Sequence, residues 1–498
     1  MATTSEDSPL LRQVSKTSTH SHVSHGHGAI QKYNTIESAV DKGGQKTTWQ
    51  AESVLLARYS APLVVTYVLQ YSYSFVTVLV AGRLGRSQLA AASLATMTAN
   101  ITGLAIYEGL ATSLDTLTSQ AFGAGKKHLV GLHVQRMILL TLVATVPIGA
   151  IWICSSWILE KLVPQKHVAH LAGNFLRFYL IGAPGYGIFE AVKRFTQAQG
   201  DFVGPMCTAL ICAPLNIFWN WFFVFYLKLD FRGAGLAAAI TLLTQPTVFL
   251  IYVRFFAPVA HQCWPGVNVR RATENWSSMV KLAIPGVLMV LSEWLAFDIL
   301  TLSSSYISED HLAAMSVLMT ISVLMYHIPF PTSIAASTRF GNLIGLGDLR
   351  SASVAFNTYY AIFLGIGIFD IVLLTSARHL IADYFSPSDG HAVRRLIVKV
   401  LPMVAASQVF DALNALTNGL TRGLGRQHIA GWTNLGVYYL FGVPLSLTLA
   451  FGPPKLELLG LWSGPLIGLG MTAVILYIYM RCTDWNKAVD EARAREEE

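Results

Sequence analysis

The chain has 498 residues, of which 53% are hydrophobic and 13% charged, with a mean hydropathy of +0.48 and a formal net charge of +7. A soluble domain carries about 25% charged residues, so this deficit excludes an ordinary soluble enzyme and points to a polytopic membrane protein. The basic excess is divided between tails and short loops, which speaks against a nucleic-acid partner and for an inner surface facing anionic lipid.

Residues 1–54 are polar and rich in Ser, Thr and His, and they read as a disordered tail without a cleavable signal peptide. This tail holds "EDSPLL" (6–11), with the spacing of an acidic dileucine sorting signal. Its histidines, His20, His22, His25 and His27, carry little metal-binding weight in such a context. Apolar runs then recur near 58–81, 89–112, 134–158, 171–191, 203–227, 233–256, 279–305, 311–335, 356–376, 396–420, 429–451 and 458–480. Each is about 20 residues, enough to cross some 30 Å of hydrocarbon as a helix, and too uniformly apolar for alternating barrel strands. The fourth run is the weakest, because Arg177 sits inside it. Prolines within the runs, among them Pro62, Pro147, Pro285, Pro331 and Pro402, mark candidate kinks. The predicted organisation is a tail (1–54), a six-helix lobe (55–258), a connecting loop (259–278), a second six-helix lobe (279–481) and a charged tail (482–498). The Lys/Arg balance of the loops is nearly even, and the tails tip both termini to the cytoplasm. The five cysteines are scattered without a CxxC pair, so neither a disulfide framework nor a metal site is signalled.

The two halves resemble each other. "SAPLVVTYVLQY" (60–71) aligns with "AIPGVLMVLSEW" (283–294), placing Pro62 on Pro285 and Gln70 on Glu293. "QLAAAS" (88–93) matches "HLAAMS" (311–316), "SQAFG" (119–123) falls on "STRFG" (337–341), and "TQAQG" (196–200) on "TRGLG" (421–425), all at a nearly constant offset. Six spans separate the copies, so the halves keep one membrane orientation and are related by a pseudo-twofold axis along the membrane normal. Such parallel repeats are common in secondary transporters, with the substrate site between them. The predicted fold is therefore an all-α membrane protein of twelve transmembrane helices in two lobes.

Acidic residues inside spans are the candidates for chemistry. A charge at a helix centre costs roughly 2.5–3.5 kcal/mol on insertion scales, so Glu293 and Asp411 read by default as groups that face a cavity and bind a proton or cation. The bland alternative is a buried, hydrogen-bonded structural carboxylate. Asp298 lies five residues beyond Glu293, roughly 140° around the helix, and so shares its cavity only through a kink or widening. Glu108 and Asp115 are seven residues apart on one helix face, and a hydrogen-bonding structural role is favoured for Asp115. Gln70, Glu108, Asp115, Trp294, His327 and Asn414 complete the candidate cleft lining. His327 titrates near neutral pH when unperturbed, although lone membrane histidines are more often packed hydrogen-bonders. "GAGKK" (123–127) lacks the Walker spacing, which argues against ATP-driven pumping, and no HExxH or nucleophile constellation marks an enzyme.

The motifs "LAAASLA" (89–95), "LDTLTSQAFGAG" (114–125), "RFTQAQG" (194–200), "SEWLAFDILTL" (292–302), "IAASTRFGNLIG" (334–345) and "TNGLTRGLGRQ" (417–427) resemble, in order, the eukaryotic, fungal-type branch of the multidrug and toxic compound extrusion (MATE) transporters. The resemblance spans roughly residues 55–480. It implies a monomeric, cofactor-free and metal-free antiporter in which two lobes form a V-shaped cleft. The expected exchange is of organic cations, xenobiotics or metabolites for protons, less often for sodium. Family carboxylates of the seventh and tenth helices map onto Glu293 and Asp411, with Asp298 matching a second acid of the seventh. "YHIPFPTS" (326–333) departs from the family pattern at His327 and Pro331. A lipid or lipid-linked sugar flippase on a related scaffold is the alternative, and the acidic second half argues against an anionic headgroup. The tail motif suggests a vacuolar or plasma-membrane member.

Overall fold

A computed structural model describes residues 47–163, 165–385 and 391–497. The dileucine-like stretch and the tail histidines lie outside them. Among the described residues every regular element is helical. The first six spans are Trp49–Leu84, Arg86–Gly123, Lys127–Ile153, 166–198, Val203–Tyr226 and Asp230–Phe256. The second six are Ser277–Ser304, Glu309–Leu346, Leu349–Ser376, His391–Leu424, Gln427–Phe451 and Leu458–Cys482. All except the fourth are long and apolar enough to qualify as membrane spans on length and composition. The fourth is broken into Lys166–Tyr179, a 3₁₀ turn at Leu180–Gly182, and Ala183–Ala198. It also carries Glu190, Lys193 and Arg194 in its second half, so its mean hydropathy is low while its position in the bundle is that of a span.

Irregularities recur in matching places of the two halves. The second span widens into a π-helical turn at Asn100–Leu104, and the eighth breaks between Tyr326 and Pro329. Pro329 and Pro331 supply the cause of that break, since neither can donate an amide and a proline ring fits best in a first helical turn. The fifth span ends in a π-helical turn at Trp221–Tyr226 and the eleventh contains one at Val437–Gly442. Helix starts are fixed locally. Asp348 caps the ninth span by accepting from the Ser351 amide at 3.0 Å and the Ser351 hydroxyl at 2.6 Å. Asp201 plays the corresponding part before the fifth, accepting from the amides of Val203 and Gly204. Burial pushes the Asp201 carboxyl above the usual carboxylate range, against the pull of those amides.

The first span begins, and the tenth ends, at one face of the bundle, here the tail face. There the C-terminal residues form a helix, Trp485–Glu497, rather than a free charged tail. Ala488, Val489 and Ala492 are buried, Trp485 stands beside the rings of Phe340 and Phe356, and Glu491 accepts from Arg426 at 2.8 Å. The lobes meet where the second span packs along the seventh, eighth and tenth, and the first along the eighth and ninth. The second and seventh spans approach closely at Gly109, where a Cβ would stand 2.5 Å from the Val287 Cα. The segments leading to the opposite, far face, Arg86–Ala99 of the second span and Glu309–Tyr326 of the eighth, pack chiefly within their own lobes. The cleft therefore widens from mid-depth toward the far face.

Because no side chain fits between the second and seventh spans at Gly109, Gly109→Val should lower the stability of the detergent-solubilised protein by about 1–3 kcal/mol, the usual cost of overpacking. Gly365, with nothing within 4 Å of its built Cβ, is the control: Gly365→Ala should leave the thermal melt unchanged.

Candidate functional site

The seventh span places Glu293 by helical register. Gly286 faces the second span, lying against Thr112 and Gly109. Seven residues make two turns, so Glu293 sits on the same helix face, turned toward the opposite lobe. It is also about 9 Å farther along the helix axis than Val287, past the tight inter-lobe contact and into the widening cleft. Glu293 is partly exposed, and Asp411, from the tenth span, is 5% exposed. The two carboxylates lie within electrostatic reach of each other. Tyr326 of the eighth span and Tyr438 of the eleventh stand within reach of both. Asn414, one turn from Asp411, donates to the Tyr438 hydroxyl at 3.4 Å. Asp411 Oδ1 and Asn414 Oδ1 are buried without hydrogen-bond partners. The structure thus brings Glu293, Asp411 and Asn414 near one another, together with two tyrosines.

The other expected residues are dispersed. Asp298 is partly buried and its electrostatic neighbour is Tyr439, away from the Glu293–Asp411 pair, as the helical angle requires. Gln70 and Trp294 are half-buried. His327 lies at the break of the eighth span, its Nδ1 2.6 Å from the Val323 carbonyl and its ring 5.0 Å from that of Tyr71 in the first span. It closes the seam between first and eighth spans at mid-depth.

Glu108 and Asp115 are buried to 5% and 3% exposure and belong to a second cluster rather than to the cleft wall. Asp115 Oδ1 accepts from Arg194 Nε at 3.1 Å, and Asp115 Oδ2 lies 3.3 Å from Arg422 Nε of the other lobe. Glu190 holds Lys193 at 2.6 Å and Arg194 at 2.5 Å, and the Lys193 ammonium also reaches the Tyr67 hydroxyl at 3.3 Å. Glu108 stands within electrostatic reach of Glu190, Lys193, Arg194 and Arg422. Three acids and three bases balance, which is how buried charges persist in a low dielectric. Both carboxylate oxygens of Asp115 thus face guanidinium groups, one from each lobe.

Beside this cluster a stripe on the second span, Thr112, Thr116 and Gln120, one turn apart, bonds across to the tail-face end of the second lobe. Thr116 donates to the Arg422 carbonyl at 2.5 Å and Gln120 to the Gly423 carbonyl at 2.9 Å. Gln427 donates to the Thr112 carbonyl at 3.1 Å and to the Thr116 hydroxyl at 2.9 Å. Arg495 of the C-terminal helix donates to Gln120 at 2.9 Å. Between the first span and the second lobe, Glu52 accepts from Arg339 at 2.9 Å and from the Tyr359 hydroxyl at 2.8 Å. The tail face is thus closed by bonds between lobes. Reasoning from sequence missed Glu190, which stands at the end of the fourth run, and Lys193 and Arg422, which lie just beyond the fourth and tenth runs. It also missed Asp370, a lone acid in "GIGIFDIVLL" (365–374). Tyr326 and Tyr438 carried no distinguishing signal. Among the described residues no group of three or more His, Cys, Asp and Glu is placed to hold a metal ion.

Comparison with known proteins adds a family pattern. The MatE family model matches residues 62–222 and again 285–448, the two halves delimited by the internal repeat. The chain is 37% identical over 466 residues to a Saccharomyces cerevisiae transporter, YDR338C, covering 93% of this chain and 66% of that protein, just under two thirds of its length. It is 31% identical to the Arabidopsis thaliana protein DETOXIFICATION 17, over 88% of this chain and 91% of the relative. The crystal structure of a eukaryotic MATE transporter, AtDTX14, superposes with a TM-score of 0.84 at 28% identity, covering 90% of this chain and 99% of that one.

Removing one partner of a buried ion pair typically costs about 3–5 kcal/mol. Asp115→Asn, which strips both Arg194 and Arg422 of a counter-charge, should lower the thermal stability of the purified protein by that order. Adding Arg422→Gln should recover part of the loss, a non-additivity read directly from a double-mutant cycle of melting experiments.

Proposed function

Because the chain belongs to the MATE family of multi-pass membrane transporters, we propose that it exports organic cations and related xenobiotics or metabolites in exchange for protons. The observation that carries this reading is the pairing of Glu293 and Asp411. They stand within reach of each other, and among the described residues neither makes an ion pair with a base. An ionised carboxylate in a water-poor cleft attracts a cation strongly. When Glu293 or Asp411 takes a proton from the far-face solution, that attraction is lost and the cation leaves by the widening cleft. When the proton departs toward the tail face, the carboxylate is restored and binds the next cation. Coupling follows because proton and substrate cannot occupy one carboxylate together. Tyr326, Tyr438 and Asn414 supply hydrogen-bonding groups and ring faces around that charge, suited to flat or alkylated cations.

Alternating access requires the tail face to open. The bonds of Thr112, Thr116 and Gln120 to the second lobe, and the Asp115–Arg422 contact, are the interactions that part when it does. Arg422 also lies within electrostatic reach of Glu293, which places a shared cation between the exchange pocket and the closed face. The protein functions as a monomer, with its termini in the cytoplasm and the far face toward the vacuolar lumen or the exterior.

The test uses full-length protein in proteoliposomes, an imposed pH gradient and ethidium as the cation. Wild type should take up ethidium against an outward proton flow. Glu293→Gln and Asp411→Asn should each reduce that uptake by about tenfold or more, the scale of a lost proton-transfer group. Gradient-driven uptake at the wild-type rate in both variants would reject the shared-carboxylate mechanism. Uptake that follows a sodium gradient at equal pH would assign the coupling to sodium.

A further inference from the structure

The ninth span holds an acid of the second lobe, Asp370, that the exchange scheme does not use. Its buried face is set by Phe363, Gly367, Asp370 and Leu374, spaced as one stripe of an α-helix, while Leu364, Ile368, Phe369, Val372 and Leu373 point outward. Asp370 is therefore aimed into the bundle, toward the tenth span. Close approach of the two helices is fixed at Gly367, where a Cβ would stand 2.6 Å from the Val409 Cα. Asp370 is 0% exposed, and both of its carboxylate oxygens lack a hydrogen-bond partner.

A structural acid would be held by donors, as Asp115, Glu190 and Glu52 are. The elements packed on the ninth span bring one charged group within reach of Asp370, namely Asp411. Glu52 and Arg339, from the first and eighth spans, meet at Tyr359, eleven residues or about 16 Å back toward the tail face. Asp383 and Arg394 pair with each other on the surface, and Arg378 lies against His379 at the start of the short helix Arg378–Phe385 beyond the span. Register orders the two acids. Gly367 opposes Val409, Asp370 lies one turn toward the far face, and Asp411 lies two residues toward the tail face, an axial separation of about 7–8 Å. Asp370 is also about 9 Å from the far-face end of its own helix.

We propose that Asp370 is a second proton-binding site of the second lobe, standing between the far-face solution and Asp411 and loading that residue with its proton. The step conserves charge. A proton leaves the Asp370 carboxyl and reaches the Asp411 carboxylate through intervening water, one acid is neutral and one ionised before and after, and Asp370 is reloaded from the far face. The proposal rests on the proton-exchange reading above and adds to it the route by which the proton arrives.

The experiment compares two readouts on full-length protein carrying Asp370→Asn. Ethidium uptake driven by a pH gradient should fall about tenfold or more. Ethidium–ethidium counterflow at equal pH on both sides, which needs no net proton movement, should keep the wild-type rate. Asp370→Glu should restore the gradient-driven rate. Infrared difference spectra between acidic and alkaline samples supply a readout independent of any substrate: Asp370→Asn should remove a carboxyl band distinct from the one removed by Asp411→Asn. Wild-type gradient-driven uptake in Asp370→Asn, or no lost carboxyl band, would overturn the proposal. Equal loss of drive and counterflow would also overturn it, by making Asp370 a scaffold residue. If Asp411→Asn loses the drive while Asp370→Asn retains it, the relay alone is wrong. If Glu293→Gln and Asp411→Asn both retain the drive, the exchange reading fails as well.

Discussion

An ionised side chain inside a bilayer has to be balanced, and the two lobes of this protein meet that demand differently. In the first lobe Glu108, Asp115 and Glu190 share their space with Lys193 and Arg194, and Arg422 reaches in from the other lobe. That cluster is neutral as it stands and needs nothing from solution. In the second lobe Glu293, Asp298, Asp370 and Asp411 are held without an equivalent set of bases. On the exchange mechanism proposed above, their balance comes from what the transporter moves, a proton or a cationic substrate. In the internal repeat, Gln70 of the first half stands where the second has Glu293.

The closed tail face gives that asymmetry a direction. Small residues let the second span approach the seventh and eighth, and polar residues one turn apart fasten it to the tenth and eleventh. Gly109 and Gly286 set how deep the contact reaches. Glu293 lies two turns past Gly286 on the same face, so the tight packing that closes one side of the membrane also delivers the carboxylate into the opening on the other. Arg422 belongs to both regions. It lies against Asp115 across the lobe boundary and within the field of Glu293. Neutralising Glu293 changes the electrostatic surroundings of the residue that helps hold the lobes together.

Much of this was legible in the amino-acid sequence. The run lengths anticipated the helices, eleven of which are long and apolar enough to cross a membrane, and the repeat divided the chain into two halves. Helical angles separated Asp298 from Glu293. The fourth span was the weak one for a physical reason: hydropathy sums a segment's own polarity, and cannot know that Glu190, Lys193 and Arg194 neutralise one another once folded. Glu108 and Asp115 were expected as candidate cleft residues because their partners lie on other helices, some 80 to 300 residues away in the chain. The C-terminal residues looked like a free charged tail, since the buried stripe Ala488, Val489 and Ala492 is short and made of small side chains. Asp370 obeyed the same rule that singled out Asp411, an isolated acid in an apolar run, and the periodicity of its neighbours already placed it on the inward face.

The central claim is that unbalanced carboxylates of the second lobe exchange a proton for a cation. Its most direct test is a reversal measurement on wild-type protein in sealed vesicles, with a fixed ethidium gradient opposed by a series of imposed pH gradients. The account predicts a pH gradient at which net ethidium flow stops and beyond which it changes direction, with no shift when sodium replaces potassium on either side. Ethidium flow that runs down its own gradient at every imposed pH difference would contradict it.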